Sequence, residues 1–363
     1  MSKQIVALGK PAISSEQYPH PQVKKLFCGI DVGAETLAVA VLEPDRPSVQ
    51  REFANTATGH KALLGWLGKM RAQVRVSLEA TGIYSMDLAL TLDATECVEV
   101  AVLNPKRVHD FARTLRRSKT DSADAQVLAE FSLRMPFAAW QKPSQSALAL
   151  RAVSRHLEAL VVQQRRETNR LHAAKGSMAT PRCVIADLKR SLAGVGRRIV
   201  KLRREAMTLI AADAHLSERF RLLTGVPGIA AVSALQILGE LVLLAPDMKV
   251  RQWVARSGLD PVHQDSGTSV HKPARISRAG SRHLRRALYM PALAAVRWDP
   301  HLKAFYEALL ARHKRKLQAL VAVARKLLHA IYGIFRSRTP YDGRKLFPAM
   351  TLAENSNPLP ASI

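Results

Sequence analysis

The stretch Leu26-Phe27-Cys28-Gly29-Ile30-Asp31-Val32, a short apolar run that ends on a carboxylate, decides how the rest of the chain is read. A second apolar run, Ala38 to Glu43, follows across Gly33-Ala34-Glu35, and two such runs around a short polar turn read as a β-hairpin entering a sheet. Arg51 to Asn55 supplies a third strand. Beyond it the pattern changes to a helix-like stretch from His60 to Arg71, a strand Val74 to Glu79, a helix Ser85 to Leu92 and a strand Val98 to Leu103. Pro105 opens a helix running to about Leu115, and a loop carrying Arg116, Arg117, Ser118 and Lys119 leads to a helix from Asp121 to Leu133.

Three strands in a meander, then strands alternating with helices, is the order of an α/β ribonuclease-H-like domain. We place it at residues 23–136, after a flexible leader at 1–22. From Val153 the apolar positions Val153, Leu157 and Leu160 keep a 4,3 spacing, and Leu188, Leu192, Val195, Ile199 and Leu202 repeat it after the Thr180-Pro181 break. Residues 145–215 therefore read as a helical hairpin or coiled coil, with the polar Gln164 and Glu167 weakening the seam of the first arm; two amphipathic helices packed on their own domain fit the pattern equally. Residues 216–340 read as a basic, mainly α domain, and 341–363 as a flexible tail. Within the basic domain Leu222 to Ile229, followed by Ala230 to Leu241, looks like a helix-hairpin-helix element, whose glycine turn presents backbone N–H groups at a helix N-terminus.

The charge distribution separates the two halves. The 363-residue chain carries 55 Lys+Arg against 29 Asp+Glu. Residues 1–135 hold 17 basic and 15 acidic side chains, leaving 38 and 14 for the remainder, so the net charges are +2 and +24. A lobe that basic repels itself until a polyanion neutralises it, and nucleic acid is the partner that does so. The apolar run Ala234 to Pro246 is interrupted by Glu240 and too short to span a bilayer, and Met1 to Gln22 has no signal-peptide core, so we expect a soluble cytoplasmic protein. Cys28, Cys97 and Cys183 form no metal or disulfide pattern and read as free thiols.

Two constellations carry chemistry. Asp31 ends the first strand and Glu79 the fourth, while Asp121 and Asp124 sit three apart at the start of a helix, on one face of it. Singly each has an ordinary explanation: a strand-end turn, a loop carboxylate, or acids favoured by a helix dipole. In a ribonuclease-H-like order they converge, and an all-oxygen site suits Mg²⁺ or Mn²⁺, two ions about 4 Å apart serving both oxygens of a phosphodiester displacement. The second constellation runs from Ser257 to Arg286. Ser266 precedes Gly267 in a polar loop, followed by Lys272, Arg275, Arg278, Arg282, Arg285 and Arg286. The last four lie at i, i+4, i+7 and i+8, one face of one helix, a phosphate clamp or a solvated stripe.

Taken in order, Ile30-Asp31-Val32-Gly33, Leu78-Glu79-Ala80-Thr81-Gly82, Lys119-Thr120-Asp121-Ser122-Ala123-Asp124-Ala125, Pro227-Gly228-Ile229, Ser257-Gly258-Leu259 and Ile276-Ser277-Arg278-Ala279-Gly280 resemble the transposases of the insertion-sequence 110 family from about Phe27 to Tyr341. The resemblance implies a RuvC-like DEDD domain joined to a serine-bearing transposase domain. It implies that Asp31, Glu79, Asp121 and Asp124 are the metal-binding tetrad and that Ser266 is the nucleophile, placed by its neighbourhood in a stretch that also holds Ser269, Ser277 and Ser281. It further implies a composite site built from two subunits, a homo-oligomer from dimer to tetramer on donor and target DNA, and guidance by a structured non-coding bridge RNA. Two rival readings of the same residues are a metal-dependent junction-resolving or ribonuclease-H-like nuclease with a structural serine, and a non-catalytic nucleic-acid-binding protein.

Overall fold

A computed structural model describes residues 24–80, 84–115, 121–266 and 270–347, with backbone alone at 121–122, 263–266 and 270–274. The leader 1–22, the basic loop Arg116 to Lys119, Thr81 and Gly82, Gly267 and Ser269, residues 348–363 of the tail, and the side chains of Asp121, Ser266 and Lys272 lie outside the described residues. The chain divides into two compact units, Met1–Lys142 and Pro143–Ile363.

In the first unit β1 (Lys25–Val32), β2 (Thr36–Leu42) and β3 (Val49–Ala54) form the meander. Then come α1 (Ala57–Gly68), β4 (Gln73–Glu79), α2 (Tyr84–Asp93), β5 (Val98–Leu103), α3 (Pro105–Leu115) and α4 (Asp121–Arg134). The sheet order is β3-β2-β1-β4-β5, antiparallel among the first three and parallel from β1 through β4 to β5. This mixed five-stranded sheet with helices is the architecture expected of a ribonuclease-H-like domain.

Strand alternation assigns the two faces. Leu26, Cys28, Ile30 and Val32 of β1 join Val74, Val76 and Leu78 of β4 in a core closed by Leu63 and Leu67 of α1 and Leu88 and Leu92 of α2. On the opposite face Phe27, Ala40 and Leu42 lie under Ala125 and Ala129 of α4. Gly29 permits that close crossing, since a Cβ there would stand 2.1 Å from the Ala125 carbonyl oxygen and 2.3 Å from the Ala129 nitrogen. Near its C-terminal end α4 donates from Ser132 Oγ to the Arg75 carbonyl in the first half of β4 (3.3 Å), so its first turn lies toward the C-terminal ends of β1 and β4. The element boundaries shift modestly from expectation. α1 starts three residues before His60 because the Thr56 side chain caps it, accepting from Gly59 N at 3.2 Å.

The second unit is helical apart from one β-hairpin. It contains α5 (Gln145–Gly176), α6 (Arg182–Ala212), α7 (Ala214–Thr224), α8 (Ala231–Leu241), α9 (Val250–Ser257), β6 (Pro261–Ser266), β7 (Val270–Ile276), α10 (Arg282–Trp298), α11 (Pro300–Ala311) and α12 (Lys316–Ser337). α5 and α6 pack along each other, burying Leu157, Leu160, Val195, Ile199, Ala206 and Ile210 in one cluster with the helices that follow. Gln164 lies against small Gly196, where a Cβ would be 3.8 Å from its amide nitrogen. By length and composition α12 is apolar enough to cross a membrane, yet Leu320, Val323, Leu327, Leu328, Ile331 and Ile334 are buried in this unit's core. Residues 341–347, which the sequence reading placed in the tail, are ordered by contacts with this unit, and 348–363 lie outside the described residues. Tyr341 donates to Asp299 Oδ2 (2.6 Å), and Phe347 is buried against the Phe305 ring, so residues 341–347 are packed.

Candidate active site

The first unit collects carboxylates at one end of its sheet. Asp31 pairs with Ala38 across β1 and β2, and partners directly across a ladder share a face; Ala38 belongs to the face under α4. Glu79 pairs with Leu103, which packs with Val127 and Leu128 of α4. Because Ile30 is in register with Leu78, Asp31 and Glu79 stand at the same level on adjacent parallel strands, roughly 4.8 Å apart in backbone spacing. Asp124, in the first turn of α4, immediately precedes the Ala125 that crosses Gly29. All three are partly buried, and Asp31 and Glu79 each have an interaction partner. Ser77, on the same face of β4 as Glu79, is fully buried with a hydroxyl that has no hydrogen-bond partner among the described residues.

Asp31, Glu79 and Asp124 offer oxygen donors only, from two strand ends and a helix first turn, the donor type that a hard divalent cation takes. Among the described residues no three His, Cys, Asp or Glu side chains form a ready cluster; the Asp121 side chain lies outside them.

In the second unit the segment around Ser266 is a β-hairpin where sequence reading expected a loop. Ser266 is the last residue of β6 and is in register with Val270 of β7. Arg275 lies on β7, and Arg278 lies ahead of α10 with a positive φ of 54°. The four arginines therefore do not share one helix: Ser281 caps α10, accepting from Leu284 N, so helical spacing applies only from Arg282 onward.

What holds the hairpin base is a crossing of two glycine turns. Ser277 N donates to Asp260 O (2.9 Å), Arg278 N to Gly258 O (3.1 Å) and Ser281 N to Arg256 O (2.7 Å). Gly258 (φ 66°) and Gly280 (φ 119°) occupy conformations that L side chains rarely adopt, and a Cβ on Gly280 would stand 2.2 Å from the Arg256 carbonyl oxygen. Ser277 donates to Asp260 Oδ1, and Ser281 donates to Glu240 Oε2. Both serines near Ser266 whose side chains are described are thus committed to this crossing.

Two acids missed in the sequence brace it further. Glu240 on α8, with only 7% of its side chain exposed, accepts from Arg155 Nε of α5 (2.7 Å) and from Ser281. Burial alone would raise its pKa, but hydrogen bonds from Arg155 and Ser281, with the charges of Arg155 and Arg151, outweigh it and hold the carboxyl below its usual range. Glu158 pairs with both His283 and Arg286 (2.9 Å to Arg286 Nη1). Arg285 Nη1 donates to the Ser257 carbonyl (2.8 Å), and its pKa is lowered by burial and by Arg278. Of the proposed clamp, Arg285 is therefore engaged inside the unit, and Arg286, although paired with Glu158, is exposed like Arg275, Arg278 and Arg282. Heptad and turn patterns in a single sequence give no sign of a buried ion pair 85 residues apart.

The glycine turn of the helix-hairpin-helix element packs inward. Gly228 (φ 90°) lies on α10, where a Cβ would stand 2.7 Å from both the Pro291 carbonyl oxygen and the Ala295 nitrogen. That close approach gives the Pro-Gly pair a packing role, while the α8 N-terminus at Ala230 and Ala231 stays exposed.

Comparison with known proteins covers most of the chain. A transposase family model of the insertion-sequence 110 DEDD type matches residues 28–174, and a second, described as the transposase IS116/IS110/IS902 family, matches residues 220–307. The pilin gene-inverting protein of Moraxella bovis is 27% identical over 327 residues, 89% of this chain and 99% of its own length, and that of Moraxella lacunata is equally similar. An insertion element IS900 42 kDa protein of Mycobacterium paratuberculosis is 28% identical over 172 residues, 43% of this chain and 40% of its own.

Proposed function

Because the chain belongs to the IS110 family of transposases and is a DNA transposase or recombinase, we propose that it cuts and rejoins DNA with a RuvC-like carboxylate tetrad, Asp31, Glu79, Asp121 and Asp124, and a serine nucleophile, Ser266. The observation that carries this reading is the shared level and face of Asp31 and Glu79 beneath the first turn of α4. Asp31, Glu79, Asp121 and Asp124 would hold Mg²⁺ or Mn²⁺, one ion or two, which would supply positive charge to polarise the scissile phosphate and its leaving oxygen.

The protein's own groups do the rest. The Ser266 hydroxyl attacks phosphorus: an Oγ–P bond forms, the P–O bond to one flanking sugar breaks, and that sugar leaves as a free hydroxyl with the serine's proton. Attack by the hydroxyl of a new strand reverses the step, restores a phosphodiester and frees the serine. A covalent intermediate of this kind conserves the energy of the broken linkage, which hydrolysis would lose. Arg275, Arg278 and Arg282 sit exposed beside the hairpin and hold backbone phosphates. Lys272, a residue of β7, completes the phosphate-binding set we propose.

The basic excess outside the catalytic domain suits a polyanionic scaffold, and we assign it to donor and target DNA and to a structured bridge RNA. The domain plan is a catalytic domain at 23–136, a helical connector at 145–215 and a basic serine-bearing domain at 216–340, working as a homo-oligomer, dimer to tetramer, in which one copy's tetrad serves another copy's serine. The names of the Moraxella relatives, which concern inversion of a pilin gene, accord with cutting and rejoining.

Cleavage of a plasmid carrying the element's ends by Ser266→Ala and Asp31→Ala proteins tests this. Loss in both is expected. Cutting retained by Ser266→Ala alone would indicate a water-using nuclease, and activity retained by Asp31→Ala would leave only a binding protein. RNA co-purifying with the protein and encoded beside its gene is the expected partner.

A further inference from the structure

We propose that Asn55 and His60 are positioning residues for the metal site, a clasp that ties together the two chain segments leaving Asp31 and Glu79; the inference rests on the metal reading above. Asn55 follows the last residue of β3, at the strand-to-helix corner. Its Nδ2 donates to the Gly33 carbonyl (2.8 Å), two residues beyond Asp31. The same nitrogen reaches the Tyr84 carbonyl (3.4 Å), the first residue of the helix that follows Glu79. Its backbone N–H donates to Glu35 O (2.7 Å), inside the β1–β2 turn. One side chain thus bonds both to the turn that follows Asp31 and to the first residue of the helix that begins five residues after Glu79.

His60 sets the direction of that amide. Its Nε2 lies 2.8 Å from Asn55 Oδ1. With the amide nitrogen facing two carbonyls, Oδ1 must be the acceptor, so the imidazole carries its proton on Nε2. His60 is buried, and burial pushes its pKa down, with Asp87 opposing, so the neutral ring is the resident form at neutral pH. The local sequence builds this corner: Thr56 caps α1, and Gly59 lets the first turn settle on β3, since a Cβ there would stand 1.9 Å from the Ala54 carbonyl oxygen. Asparagine is the residue required, because aspartate would aim a carboxylate at two carbonyl oxygens and alanine would leave His60 without its partner.

Groups that orient metal ligands without touching the metal commonly set affinity by roughly 10- to 100-fold. The test is a titration of full-length protein with Mn²⁺ alone, free ion being counted by electron paramagnetic resonance, beside a thermal melt of each variant. Asn55→Ala and His60→Ala are expected to weaken Mn²⁺ binding by about tenfold or more, and His60→Gln, which keeps an N–H donor, to restore most of it at an unchanged melting temperature. Wild-type affinity in a folded Asn55→Ala protein overturns the inference. If Asn55→Ala does not fold, equal affinities for His60→Ala, His60→Gln and wild type overturn it. Asp31→Asn and Glu79→Gln distinguish the two levels: if they bind Mn²⁺ like wild type, the metal reading itself fails, and the clasp with it. If they lose binding while the Asn55 and His60 variants keep it, the clasp alone fails.

Discussion

The carboxylate end of the first unit and the serine segment of the second are held in place by different physics. Asp31 and Glu79 ride on a five-stranded sheet whose ladders and two buried faces fix their level to the register of β1 and β4. Ser266 ends one strand of a two-stranded hairpin, a unit that is marginal on its own. Its base is secured by two positive-φ glycines and by buried charges. Metal ligands need fixed mutual geometry, which a sheet provides. The nucleophile role proposed for Ser266 suits a short element anchored firmly at its root.

The largest expected effect separates the chemistry of the two regions. Asp31→Asn and Glu79→Gln on one side, and Ser266→Ala on the other, should each lower strand cutting by at least about a hundredfold, in keeping with losing a group that acts on the reacting phosphate. Melting temperatures should stay near wild type. A variant set in which only the carboxylates matter would break the symmetry assigned to the two regions.

Next come the packing contacts. Gly29→Ala and Gly280→Ala each force a Cβ into backbone, at 2.1 Å and 2.2 Å respectively. Each should destabilise its own unit by about 3 kcal/mol, read by chemical denaturation. Gly29→Ala is expected to affect Mn²⁺ binding and Gly280→Ala to spare it.

Glu240→Gln should cost about 2 kcal/mol, since it weakens a charged hydrogen-bond network whose Arg155 partner is a third exposed. Here the sign follows from a folded-state pKa held below the unfolded one. The carboxylate's contribution is complete above the unfolded pKa and disappears as pH falls through the folded value. Wild type should therefore lose more stability on acidification below the ordinary glutamate range than Glu240→Gln does, measured by melting at stepped pH.

Smaller still is the difference between arginines. Arg282→Ala should reduce the slope of log affinity against log salt by about one, whereas Arg286→Ala, whose guanidinium is already paired with Glu158, should change it less. Filter binding at several salt concentrations decides this. Among the cysteines, exposed Cys97 and Cys183 should react with a thiol reagent in the native protein, while Cys28, buried and with its thiol pKa pushed far up by desolvation, should react only on unfolding.

Much of the first unit was legible because its signals are local. The apolar runs, the Gly33-Ala34-Glu35 turn and the alternation of strands with helices gave the order of elements, and the strand ends gave Asp31 and Glu79. The hairpin at 261–276 was not legible: Val262, Gln264 and Ser266 alternate with His263 and Asp265 without an apolar stripe, so the strand reads as polar loop. The helical spacing of Arg278 with Arg282 was a coincidence of number, because the Gly280 turn and the Ser281 cap intervene. The roles of Asn55, Glu158 and Glu240 were not legible, beyond the charge with which Glu240 interrupts an apolar run, since they depend on partners brought together by tertiary packing.

The most direct test of the central claim is to incubate the protein with end-labelled element DNA in Mg²⁺, denature, and map any protein–DNA linkage by mass spectrometry. The account predicts a phosphoserine bond at Ser266 that forms in Mg²⁺, vanishes in excess chelator and is missing from Asp31→Asn protein. Linkage at a different residue, or undiminished linkage in chelator, would contradict it.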